Sequence, residues 1–180
     1  MLKITVPELE LWDERNERFI YLASQTLELE HSLASLSKWE STWCKSFLSQ
    51  KSMTDEEILD YIRCMTITPN VDPEIYMRLS EDNITQINAY IKAPMTATTF
   101  SEDKSGRPTR EIITAEIVYH WMITLNVPLE CEQWHLNKLL AFLKVCSIKN
   151  SPPKRRSEKD IMSQNAALNA ARRQQMNSRG

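Results

Sequence analysis

The stretch Thr26-Leu27-Glu28-Leu29-Glu30-His31-Ser32-Leu33-Ala34-Ser35-Leu36-Ser37-Lys38-Trp39 decides the fold, because the spacing of its apolar residues changes halfway along. Up to Glu30, apolar and polar residues alternate, which is the period of a strand with one buried face. From Ser32 onward Leu36, Trp39, Trp43 and Phe47 recur every three to four residues. That is the period of a helix, and Ser32 carries the hydroxyl to cap it. A polar break at Ser49-Gln50-Lys51-Ser52 ends this helix. A strand region therefore meets a helical region near His31.

Toward the N-terminus, Leu2, Ile4 and Val6 alternate with Lys3 and Thr5. Pro7 has no N–H to give a ladder, so it marks an edge or a strand end. A short segment at residues 9–12 leads into the polar turn Asp13-Glu14-Arg15-Asn16-Glu17, after which Phe19-Ile20-Tyr21-Leu22 resumes the apolar pattern. Short strands separated by turns read as a small antiparallel β-meander.

Toward the C-terminus every signal is helical. In Met53-Thr54-Asp55-Glu56-Glu57-Ile58, Thr54 and Glu57 have the spacing of a reciprocal capping box, and Met53 and Ile58 that of a hydrophobic staple. Asp72-Pro73 starts a shorter helix, with proline in the first turn where its missing N–H is not needed. Ser80 caps another that carries Ile84, Ile87 and Ile91 on one face. Residues 94–108 are small and polar and predict a mobile loop. Thr109 is expected to open a long helix to about Leu125, and Pro128 marks a break after it. A final core helix is expected over 129–145, with Trp134, Leu139, Leu140 and Leu143 inward. The class is α+β, a mainly helical body with a small N-terminal antiparallel meander.

Ser151-Pro152-Pro153 closes the body, giving a globular domain at 1–150 and a C-terminal arm at 151–180. The arm has too few apolar residues for a core of its own, so it is helical on a partner or mobile. Residues 149–180 hold eight basic and two acidic side chains, a net of +6, against 14 basic and 22 acidic in the rest, a net of −8. Such asymmetry points to an electrostatic contact, and Lys154, Arg155, Arg156, Arg172 and Arg173 are its candidate residues.

Composition excludes several chemistries. The two glycines, Gly106 and Gly180, cannot build a phosphate cradle, which needs several backbone amides free of Cβ to converge on the anion. No apolar run reaches the roughly 20 residues of a spanning helix, so no membrane partner is expected. Cys44, Cys64, Cys131 and Cys146 are isolated from one another and sit in apolar segments, which reads as reduced core thiols. Cys131 and His135 have helical spacing, but a metal site needs about four ligands, so no metal or other cofactor is expected. His31, His120 and His135 accompany no nucleophile motif, and Asp55-Glu56-Glu57 is the charge that a helix N-terminus prefers. The chain reads as a non-enzyme. Of its five tryptophans, Trp39 and Trp43 lie one turn apart, and with Phe47 they are the candidate lining of a partner groove, since aromatic anchors dominate interfaces.

Four segments carry a resemblance: residues 31–40, Ala93-Pro94-Met95-Thr96-Ala97-Thr98-Thr99-Phe100, Trp134-His135-Leu136-Asn137-Lys138-Leu139-Leu140, and Asn165-Ala166-Ala167-Leu168-Asn169-Ala170-Ala171-Arg172-Arg173. Together they make the chain resemble the tail assembly chaperones encoded in the structural-gene clusters of tailed bacteriophages. The resemblance implies a protein of the host cytoplasm that binds the tape measure protein or the tail tube protein during tail morphogenesis, with no catalysis. It transfers no binding residue. Two other readings stand beside it: a structural virion component, such as a head–tail connector or tail terminator in a homo-oligomeric ring, and a nucleic-acid binder acting through the basic arm. The last is disfavoured because no aromatics interleave with the basic residues.

Overall fold

A computed structural model describes residues 1–50, 52–100, 112–151 and 158–176. The fold is α+β, a mainly helical body with a small antiparallel strand set at the N-terminus. Strand β1 (Leu2–Val6) pairs with β4 (Gln25–Leu29), and between them β2 (Leu9–Asp13) pairs with β3 (Arg18–Leu22). The pairing is nested, whereas a meander would join each strand to the next. The two ladders are in step: Val6 faces Gln25 and Leu9 faces Leu22, so Pro7 and Glu8 on one side match Ala23 and Ser24 on the other. Two residues are skipped on both sides, the register is kept, and the chain runs straight on. The strands are thus one long hairpin with a knuckle at its middle. Its tip turn includes Glu17 at φ 46°, the left-handed conformation that tight hairpin loops require.

The proximal half of the hairpin is enclosed. Ile4, Val6, Leu27 and Leu29 are buried against Trp39, Tyr61, Ile62, Met65, Ile75 and Ile87. Its edges are occupied as well. The Ile67 amide donates to the Glu28 carbonyl at 2.8 Å, the Glu28 amide to Thr68 Oγ1 at 2.8 Å, and Asn83 Nδ2 to the Thr5 carbonyl at 3.3 Å.

Helix α1 (Leu33–Trp43) starts at Ser32 in a capping box completed by Ser35. It ends before Phe47, because Cys44 takes the left-handed conformation (φ 53°) and donates its N–H to the Glu40 carbonyl. The buried Glu40 carboxylate then accepts the Phe47 amide at 2.8 Å, which turns the chain back toward the core. Helix α2 (Asp55–Met65) carries the expected Thr54–Glu57 box, with both reciprocal hydrogen bonds present. A 3-10 turn, Pro73–Arg78, leads into α3 (Glu81–Lys92), capped by Ser80.

Helix α4 (Ala115–Thr124) begins later than the sequence suggests. Residues 112–114 are not helical, and 101–111, which include most of the expected loop, lie outside the described residues. The other oxygen of Glu40 accepts the Ala115 amide at 2.7 Å and so sets the start of this helix from 75 residues away. The expected final helix divides into a 3-10 turn, Leu129–Gln133, and α5 (Leu136–Asn150). The break arises because the Leu136 amide donates to the His31 carbonyl at 2.7 Å, tying the start of α5 to the end of β4. Trp134 consequently faces outward, while Leu139 and Leu143 join Leu33, Leu36, Val118 and Met122 in a second core cluster.

The chain divides into two units, Met1–Ile148 and Lys149–Gly180. In the second, helix α6 (Glu158–Met176) leaves Met162, Leu168 and Met176 exposed.

Candidate partner-binding surface

The distal half of the hairpin has the strand periodicity of the proximal half, but most of its described side chains are exposed, and the rest of the chain reaches it at the knuckle end, where Tyr21 and Leu22 line a cleft with Asp72, Glu74, Ile75 and Arg78. By register, Glu10, Trp12, Phe19 and Tyr21 share one face, and Leu9, Ile20 and Leu22 the other. Trp12 and Phe19 stack across the strands with ring centroids 4.8 Å apart, and Phe19 and Tyr21 lie at 6.4 Å. Trp12 is 51% exposed, Phe19 54% and Tyr21 73%, and on the opposite face Leu9 and Ile20 are exposed too. The Glu10 carboxylate beside Tyr21 pushes its phenol above the ordinary range.

This sheet has two strands, so β2 and β3 are both edges. Among the described residues no further strand pairs with β2 or β3. Unpaired edges and uncovered apolar faces together make a surface suited to another chain. Residues 8–22 also carry five acidic side chains (Glu8, Glu10, Asp13, Glu14, Glu17) against two basic ones (Arg15, Arg18), a net of −3.

Arg78 fixes the knuckle. One nitrogen of its guanidinium, Nη2, donates to the carbonyls of Pro7, Leu22 at 3.3 Å and Ala23 at 3.2 Å. These are the residues at which the two ladders part. A single cation thus gathers the free carbonyls of both arms and anchors the distal half to the end of the 3-10 turn.

The aromatic residues singled out by the sequence do not form one groove. Trp39 has no exposed surface; its Nε1 donates to the Glu57 carbonyl at 3.0 Å, and it stacks on Trp43 at 6.2 Å. Trp43 donates to Asp60 Oδ2 at 2.9 Å and lines a cleft of about 330 Å³ with Arg63, Tyr76 and Met77. Phe47 packs on Tyr61 with centroids 4.1 Å apart and lines a different cleft of about 410 Å³, with Met53, Ile58, Ile84 and Ile91. Trp39 lines neither cleft, and the other two open to separate ones. In the basic arm, Arg172 and Arg173 are exposed on α6, while Lys154, Arg155 and Arg156 lie outside the described residues.

A buried polar cluster, which the sequence did not single out, sits where the strands meet the helices. His31 Nδ1 and the Tyr61 hydroxyl are 2.6 Å apart, and the His31 and His135 rings meet edge to face with centroids 5.1 Å apart. His135 Nε2 lies 3.1 Å from the Tyr90 carbonyl, and the Tyr90 hydroxyl donates to Glu30, which also binds the N-terminal ammonium at 2.7 Å. Burial, with His135 alongside, lowers the His31 imidazole to about 3, and burial also lowers His135. Both rings are therefore neutral at neutral pH. His135 faces His31 across the junction, and Cys131 lies in the second core cluster, so their sequence spacing does not bring them to one helix face. Among the described residues no group of three or more His, Cys, Asp or Glu side chains is placed to hold a metal ion. None of their helices is long and apolar enough to cross a membrane. The four cysteines are free thiols, with Cys131 buried and Cys44, placed by its sequence in the core, exposed.

Searches with this chain match no protein-family model, no curated protein and no solved structure.

Proposed function

We propose that this protein is a non-enzymatic assembly factor of the host cytoplasm that binds the tape measure protein or the tail tube protein of a tailed phage while the tail is built. One observation carries the binding part of the reading: a two-stranded hairpin that exposes Trp12, Phe19 and Tyr21 on one face and Leu9 and Ile20 on the other. Soluble chains seldom leave such a surface uncovered unless something binds it. The resemblance of residues 31–40, 93–100, 134–140 and 165–173 to tail assembly chaperones supplies the identity of the partner.

The test is a tagged pull-down from phage-producing cells, read by mass spectrometry beside purified virions. Recovery of the tape measure or tube protein, loss of that recovery in Trp12→Ser/Phe19→Ser, and absence of the chain from virions are the expected results. Stoichiometric presence in virions would replace this reading with a connector or terminator. Capture of nucleic acid that weakens steeply with salt and vanishes on removal of residues 149–180 would replace it with a nucleic-acid binder.

A further inference from the structure

Among the described residues neither outer edge of the distal hairpin has a neighbouring strand, the Leu22 carbonyl accepting from Arg78 at the knuckle end, and both faces carry exposed apolar side chains. A helix laid on one face would leave the opposite face and both edges open. An added strand does more, because its backbone satisfies an edge while its alternate side chains extend both faces at once. It also converts a two-stranded ribbon, marginal in water, into a three-stranded sheet. Charge then selects among strands. The net of −3 over residues 8–22 repels the same segment of a second copy and attracts a basic one. We infer that the edge of the β2–β3 hairpin takes up an extended segment of a partner protein, apolar at alternate positions and basic between them. This deepens the proposed function, since it rests on the hairpin being the binding surface and names what the surface binds.

Three synthetic peptides serve as probes for the full-length chain: an end-capped octapeptide of alternating valine and lysine, the same peptide N-methylated at alternate residues, and an alternating valine–glutamate octapeptide. The readout is site-resolved amide hydrogen exchange. The valine–lysine peptide should slow exchange over residues 9–22 at least tenfold, and the other two should leave it unchanged. In the charge-reversed variant Glu10→Lys/Glu17→Lys, which alters only exposed side chains, the preference should turn toward the valine–glutamate peptide. Equal protection by the N-methylated peptide would overturn strand addition, and equal protection by the valine–glutamate peptide would overturn the charge requirement. Absence of protection at 9–22 would overturn the inference altogether. Protection that appears without peptide and grows with protein concentration would assign the edge to a second copy instead. A failed pull-down with peptide protection intact would remove the phage partner and keep strand addition; the reverse result would remove only strand addition.

Discussion

The two halves of the N-terminal hairpin share strand length, register and alternation, yet one is core and the other is surface. In the proximal half Val6, Leu27 and Leu29 have no exposed area, both edges are hydrogen-bonded by the α2–α3 region, and the adjoining residues 30–32 hold the start of α5. In the distal half Trp12, Phe19 and Tyr21 face solvent, and no further strand among the described residues pairs with either edge. The difference teaches that a strand's pattern states which residues are ready for burial, whereas the covering elements decide whether burial happens. Here α1, α2 and α3 cover the five residue pairs beside the junction, while most described side chains of the next five are exposed.

That contrast can be broken most severely in the proximal half. Leu29→Ala should destabilise the body by about 2–5 kcal/mol, the usual cost of a cavity in a closed core, whereas Leu9→Ala in the distal half should change stability by less than about 0.5 kcal/mol. Urea unfolding midpoints compare the two directly. Equal effects would mean that the distal half is covered in solution.

The buried histidines next to β4 predict acid sensitivity of the same half. An ordinary imidazole titrates near 6.5, and His31 in the folded chain only at about 3. The unfolded chain therefore binds the extra proton first. The contribution of His31 is complete above pH 6.5 and is lost as pH falls from there toward 3, at roughly 1.4 kcal/mol per pH unit while this group dominates. Stability measured from pH 7 to 4 should show this slope, and His31→Phe should flatten it even if the variant is weaker at neutral pH. An unchanged slope in the variant would assign the acid sensitivity to other groups.

Arg78→Ala tests the boundary. Three backbone carbonyls at the knuckle lose their shared donor, for an expected loss of about 1–2 kcal/mol. Amide exchange should quicken over residues 9–22 more than over 2–6. Uniform quickening would show that the knuckle does not separate the halves. A small effect on stability is also expected from Trp12→Ser, which removes half of an exposed cross-strand pair worth about 0.2–1 kcal/mol. Its thermal midpoint should barely move while recovery of the partner falls.

Legibility in the sequence followed the range of the interactions. The switch at Ser32, the Thr54–Glu57 box and the Ser80 cap were readable because each depends on residues within four positions of one another. The early end of α1 and the late start of α4 were not, because both depend on the Glu40 carboxylate accepting amides at Phe47 and Ala115. The break at Trp134 depends likewise on a bond from Leu136 to His31. For the candidate surface, the apolar residues Trp12, Phe19, Ile20 and Tyr21 were visible as strands, but nothing local distinguished them from Leu27 and Leu29. Trp39, chosen as a partner anchor, met the spacing of an exposed aromatic stripe and of a core stripe equally well, and it is core.

By itself the sequence determined the α+β class, the strand and helix periods, the helix caps, the polar turn at residues 13–17 and the charge contrast between body and arm. Backbone geometry makes each of these a matter of neighbours along the chain. Only the tertiary structure decided that the strands nest into one hairpin, that His31 meets His135, and that the aromatic face of the distal half stays exposed. Those outcomes depend on which distant surfaces compete for the same apolar face, and burial is a property of the whole chain rather than of any segment of it.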